Sequence, residues 1–154
     1  MPTARRSRTI SASQPQLWEL VGDPHHLPRW WPRVSRVEDV EADAFTEVMN
    51  TAKGRVVRAD FRVVEAQEPT RLKFAQQLEG TPFARLLKSA ETELRLEPVA
   101  GSASGADEQP ATLVTIELRQ SLTGFFPRFG SYMVRRAANA TLDEALDGLE
   151  RIVG

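Results

Sequence analysis

Four stretches of the chain alternate apolar and polar residues with the period of two that a half-buried strand requires. In Arg55–Val64 one face carries Val57, Ala59, Phe61 and Val63, and the other Arg58, Asp60 and Arg62. Arg71–Glu79 sets Leu72, Phe74, Gln76 and Leu78 against Arg71, Lys73, Gln77 and Glu79. Ala90–Glu97 sets Ala90, Thr92, Leu94 and Leu96 against Glu91, Glu93, Arg95 and Glu97. Thr112–Leu122 sets Val114, Ile116, Leu118, Gln120 and Leu122 against Thr115, Glu117, Arg119 and Ser121. Charges fall outward almost without exception, and only Gln76, Thr92 and Gln120 bring polar atoms to the apolar side. The pattern predicts a sheet with one greasy face and no charged side chain dependably aimed at its centre.

The remaining elements follow from caps and breakers. A first strand is expected near Arg5–Ser11. Ser13 then N-caps a short helix, with Gln16 three residues later as in a capping box and Pro15 tolerated in the first turn. Leu17, Trp18, Leu20 and Val21 form its buried side, and Gly22-Asp23-Pro24 stops it. His25–Trp31 reads as a second helical turn ended by Pro32. Val34–Val40 and Phe45–Thr51 read as strands, the second with its faces unassigned, and Lys53-Gly54 turns the chain into the four strands above. Glu68-Pro69-Thr70 and Gly80-Thr81-Pro82 are further turns, and Gly101–Pro110 is a surface loop.

A long helix from about Phe129 to Val153 closes the chain. Its apolar stripe is Val134, Ala138, Leu142, Ala145, Leu149 and Ile152, spaced as one face of a helix. The stripe is graded: Ser131, Val134, Ala138 and Thr141 are small, whereas Leu142, Leu146, Leu149 and Ile152 are bulky. A helix that packs thickly at one end and thinly at the other leaves a void over the sheet, which water, a ligand or Trp30, Trp31 and Phe129 must fill.

With 154 residues the chain reads as one domain, 1–154, with room for a full core. A formal net charge of −1 predicts no general attraction to nucleic acid or anionic membrane. The absence of cysteine excludes disulfides and thiolate sites. Arg5, Arg6 and Arg8 are followed by no apolar signal region, and no run is long enough to span a membrane. A cytoplasmic protein is expected, with no stable membrane insertion, no nucleic-acid partner and an oligomeric state left open.

Candidate chemistry is sparse. His25 and His26 are adjacent and point apart on a helix, so they chelate poorly; one as a general base is the alternative to two exposed residues. Asp60, Glu91, Glu93 and Glu117 fall on the outward, solvated faces. Gln76, Thr92 and Gln120 either orient a ligand carbonyl or hydroxyl or pair with one another. Arg135, on the edge of the helix stripe, either reaches the pocket or snorkels at the surface. Phe125, Phe126, Phe129 and Met133 make a second apolar flank, suited to core packing, a gate, or a contact surface. No phosphate loop, metal-spaced cluster or nucleophile–base pair is present, so no metal, cofactor or catalytic residue is assigned.

The run Ile10-Ser11-Ala12-Ser13, followed by Leu17-Trp18-Glu19-Leu20 and then Asp23-Pro24-His25-His26-Leu27-Pro28-Arg29-Trp30-Trp31-Pro32, resembles the helix-grip superfamily of START-type, Bet v 1-like and bacterial polyketide cyclase/dehydrase proteins. Thr81-Pro82-Phe83-Ala84 is similar to a turn of aromatase/cyclase members. The resemblance implies an α+β fold: a curved antiparallel sheet wrapped around the C-terminal helix, two short helices after the first strand, and a deep apolar cavity. It also implies that Trp30 and Trp31 sit at the mouth or wall of that cavity. Joined to the strand and helix patterns, it gives an expected lining of Trp30, Trp31, Val57, Ala59, Phe61, Phe74, Gln76, Thr92, Leu94, Ile116, Leu118, Gln120, Ser131, Val134, Arg135 and Ala138.

The function expected is binding or carriage of a hydrophobic small molecule, such as a lipid, polyketide-like or aromatic metabolite. An aromatase/cyclase-type enzyme assisted by Arg55, Arg135 or a histidine is the alternative. A protein-interaction module using the surface is a third. A dry pocket without a titratable group separates the first reading from the second.

Overall fold

In the computed structural model the described residues are 3–51, 53–99, 110–123 and 128–154, the side chains of Arg128, Phe129 and Ser131 excepted. Seven antiparallel strands form one sheet: β1 (Thr3–Ile10), β2 (Val34–Glu38), β3 (Ala44–Asn50), β4 (Val56–Gln67), β5 (Arg71–Gln76), β6 (Leu87–Pro98) and β7 (Thr112–Leu122). Their order is β1-β7-β6-β5-β4-β3-β2. Two short helices, α1 (Gln14–Val21) and α2 (Leu27–Trp30), carry the chain from one sheet edge to the other. Helix α3 (Arg128–Val153) packs on β1, β7 and α2. This is the α+β helix-grip architecture expected, and no described helix is long and apolar enough to cross a membrane.

Local sequence sets these elements as anticipated. The Ser13 hydroxyl accepts the Gln16 N–H at 3.2 Å, Pro15 stands in the first turn of α1, and Leu17, Leu20 and Val21 are buried. The expected second helical turn is a 3-10 turn, Pro24–His26, running into α2. Gly54 takes φ 78° in the β3–β4 turn, where the Gly54 N–H donates to the Thr51 carbonyl. Arg55 belongs to that turn and not to the strand face: its N–H donates to the Thr51 hydroxyl.

β4 runs past Val64, where the alternation seemed to end. Val64 is outward by parity and 51% exposed, and a register shift between Val63 and Glu65 keeps Glu65 outward as well, opposite Lys73, and brings Ala66 opposite buried Leu72. A bulge of this kind breaks the period of two without ending the strand.

The outward face is not uniformly wet. Glu93 is only 7% exposed, bridged by Arg71 at 3.0 Å and Arg95 at 2.6 Å. Burial opposes its ionisation, but the hydrogen bonds from Arg71 and Arg95 outweigh it and hold the carboxyl below its ordinary range. Arg6 and Arg8 of β1 bridge Asp143 and Asp147 of α3 at 3.2 and 2.5 Å, which orients the helix more than it stabilises it.

The core lies between the sheet and the C-terminal half of α3, where Leu142, Ala145, Leu146 and Leu149 are almost wholly enclosed. There α2 meets α3 backbone to backbone: a Cβ on Gly148 would stand 2.5 Å from the Trp30 carbonyl oxygen. Gly148→Ala therefore sets a gain of about 1 kcal/mol in helix propensity against overpacking worth about 1–3 kcal/mol. The expected outcome is a net loss of stability in urea unfolding. A more stable variant would show that the contact is looser than 2.5 Å implies.

Candidate functional site

A cavity of about 340 Å³ lies under the N-terminal half of α3, within the size range of small-molecule sites. The helix is thin there: its contribution is Val134, Ala137, Ala138 and Thr141, one turn before the leucines begin. The grading of the helix stripe thus becomes a grading of space.

The floor follows from strand parity. Phe61, Phe74 and Leu118 face the cavity from β4, β5 and β7. Phe61 and Phe74 meet edge to face at 5.5 Å, and Phe45 completes a trio at 5.3 Å from Phe61 and 5.4 Å from Phe74. Phe45 and Phe74 also bound a second cavity of about 100 Å³ on their far side, toward α1 and Leu72. Trp31 closes the cavity beside α2, edge-on to buried Trp30 at 5.4 Å.

Gln76, Thr92 and Gln120 all line this space. Gln76 stands opposite Phe61, Thr92 opposite Phe74 and Leu118, and Gln120 opposite Ala90. The Gln76 amide nitrogen is buried without a hydrogen-bond partner among the described residues. The polar groups do not consume one another, and a buried amide left unpaired is costly unless something else meets it.

The feature sequence reading missed is Glu47. The expectation that no charged group faces the centre fails here: Glu47 lines the cavity and is 3% exposed. Its position follows from the β3–β4 register, which sets Glu47 opposite Ala59, Phe45 opposite Phe61 and Met49 opposite Val57. Residues facing one another in an antiparallel pair share a side of the sheet, so Phe45, Glu47 and Met49 all turn inward. Burial alone pushes the Glu47 carboxyl up from 4.5 to about 8, with no cation or hydrogen bond opposing it. At neutral pH it is mostly the uncharged acid, a donor as well as an acceptor.

The expected lining divides accordingly. Trp31, Phe61, Phe74, Gln76, Thr92, Leu118, Gln120, Val134 and Ala138 come together around the cavity. Val57 and Ala59 share the inward face through their pairing with Met49 and Glu47, but the cavity boundary does not reach them. Leu94 and Ile116 are instead packed in the core with Leu142, Leu146 and Leu149. Trp30 lies beneath Trp31, in the core and on a separate outer groove with Arg29, Arg33 and Arg151. Arg135 is exposed on the far side of α3, in a shallow groove with Arg6 and Asp143, because its position carries it around the helix from Val134 and Ala138. The side chain of Ser131, with Phe125, Phe126 and Phe129, lies outside the described residues, as does most of the loop Gly101–Pro110.

His25 and His26 gather around Asp23 at the surface, His25 Nδ1 lying 2.7 Å from its carboxylate. Neither lines the cavity. Among the described residues no group of three or more His, Cys, Asp or Glu is placed to hold a metal.

A curved sheet gripping a C-terminal helix, with an apolar cavity between them, defines the helix-grip class, that of START and Bet v 1-like proteins. The chain belongs to a family within it: the family model described as "Polyketide cyclase / dehydrase and lipid transport" matches residues 1–154. The fold is similar to that of a START superfamily protein from Mycobacterium smegmatis, with a TM-score of 0.73 at 17% identity over 98% of this chain and 96% of that one. It is also similar to the di-domain ARO/CYC BexL from the BE-7585A biosynthetic pathway, with a TM-score of 0.77 at 21% identity. That match covers 99% of this chain and 46% of BexL. A conserved protein from Geobacillus kaustophilus gives a TM-score of 0.76 at 16% identity, over 98% of this chain and 94% of that one. Among curated proteins none matches the chain.

Proposed function

We propose that this protein binds and carries a hydrophobic small molecule, of lipid, polyketide-like or aromatic character, in the cavity between the sheet and the N-terminal half of α3. One observation carries the reading: about 340 Å³ of space walled by aromatic and small aliphatic side chains, with the Gln76 amide left unpaired inside it. Burial of apolar ligand surface supplies affinity at roughly 25 cal/mol per Å², and the few polar groups set orientation. Native mass spectrometry of the purified protein beside solvent extraction tests it. A stoichiometric apolar molecule is expected, and its loss in Ala138→Trp, whose indole fills the space under the helix. A wild-type protein that is empty and gains no thermal stability from fatty acids, sterols or aromatic polyketides overturns the reading.

Glu47 favours a second reading, an enzyme of the aromatase/cyclase type. A carboxyl held near neutrality inside an apolar cavity is suited to taking and returning a proton beside a substrate carbonyl. This is the titratable group whose absence was the criterion for a pure carrier. It stands alone among the described lining residues, however, with no second acid–base group to complete a proton circuit. Carriage is therefore the function the geometry supports first.

A further inference from the structure

The cavity contains a second selection besides that for greasiness. Two unpaired polar groups project into it, and both are hydrogen-bond donors at neutral pH. Glu47 is 3% exposed and, among the described residues, has neither a counter-charge nor a hydrogen bond. The Gln76 amide N–H group, buried in the same lining, has no acceptor among the described residues. Thr92, 5% exposed, and Gln120 continue the polar positions across β6 and β7. Among the described residues, none of the lining side chains contributed by the α2 end, by β4–β7 or by α3 is titratable or charged. Donors without a cation suit an uncharged acceptor. A carboxylate placed there would meet an acidic group and no positive charge, and would be desolvated without compensation.

Resting on the carrier reading, we propose that Glu47 and Gln76 together receive an uncharged carbonyl oxygen of the bound molecule and turn away free carboxylates. Ketones, quinones, lactones and esters would thus be admitted, and free fatty acids refused. The same arrangement makes affinity dependent on pH. Glu47 donates while it holds its proton, and its carboxyl is raised to about 8 by burial. Above that pH the donor becomes an anion facing the carbonyl oxygen, and binding weakens.

Three probes of one ring size test this by equilibrium dialysis: naphthalene, methyl naphthyl ketone and naphthoic acid. At about pH 7 the ketone is expected to bind about ten-fold more tightly than naphthalene, as one or two well-made hydrogen bonds provide, and naphthoic acid more weakly than either. Between about pH 7 and pH 9 the ketone's affinity should fall about ten-fold while that of naphthalene stays level. Glu47→Gln keeps a donor that does not titrate, so it should retain ketone binding and lose the pH dependence. Gln76→Leu should cost the ketone several-fold and naphthalene nothing. Binding of naphthalene with no advantage for the ketone, or equal binding of the acid, overturns the proposal and leaves the carrier reading intact. A wild-type ketone affinity level across this pH range also overturns it. Failure of all three to bind overturns both.

Discussion

Glu47→Gln is expected to stabilise the protein, and to do so progressively as pH rises. The wild-type carboxyl ionises near 4.5 in the unfolded chain and at about 8 in the folded one. Below the first value it is protonated in both states, and its contribution to stability is fully present. Between the two the folded state holds a proton that the unfolded state has released, so stability falls by about 1.4 kcal/mol per pH unit. Above about pH 8 the loss is complete, at about 5 kcal/mol. Glutamine cannot ionise. Urea unfolding should therefore find variant and wild type close together at about pH 4 and furthest apart at about pH 9. Parallel stability curves would mean that Glu47 does not hold its proton in the folded protein, and the site as described would be wrong.

The second large effect is expected from Phe74→Ala. Phe74 is 4% exposed, contacts Phe45 and Phe61 edge-on, and is the wall between the cavities of about 340 and 100 Å³. Its removal should cost about 3–5 kcal/mol, as truncation of a buried phenylalanine does when its surroundings cannot collapse. The neighbours here are strand side chains held by the sheet, so collapse is limited. Joining the two cavities should also let the variant bind molecules too long for the wild type. Thermal unfolding and a ligand series of increasing length check both. A loss under about 1 kcal/mol would show that the trio is not a packed partition.

The parts of this structure that were legible in the sequence share one property: a local pattern fixes them. The alternation in β5–β7 gave the inward faces, the Ser13 cap located α1, and the run from Val134 to Ile152 located α3 and its thin end. Arg135 was misjudged because its place at the edge of a helical stripe leaves the side chain free to turn either way, and it turned to solvent. Glu47 was hidden for a different reason. In β3 both faces mix polar and apolar residues, since Val48, on the outer side, is itself buried between its register partners Arg36 and Arg58. Composition therefore does not say which face is inner.

A signal was nevertheless present. The turn at Lys53-Gly54 fixes the hairpin register, with Thr51 donating to the Arg55 carbonyl, and counting back from it sets Glu47 opposite Ala59. Ala59 was already assigned inward by parity. Turn geometry, carried through the ladder, would have overruled the expectation that a carboxylate faces water. What no local pattern supplied was the reason a carboxyl is tolerated there, which is the room left by a helix that follows only after four further strands in the chain.

The two halves of α3 have separable duties. Leu142, Leu146, Leu149 and Gly148 anchor the fold through the core and Trp30, whereas Val134, Ala137 and Thr141 border the cavity, and Ala138 belongs to both the cavity wall and the core. Substitutions at Val134, Ala137 and Thr141, none of them buried, reshape the bound molecule's surroundings at little expense to folding. A scaffold so divided can be retuned from one cargo to another by changes within two turns of a single helix, with the foundation left as it stands.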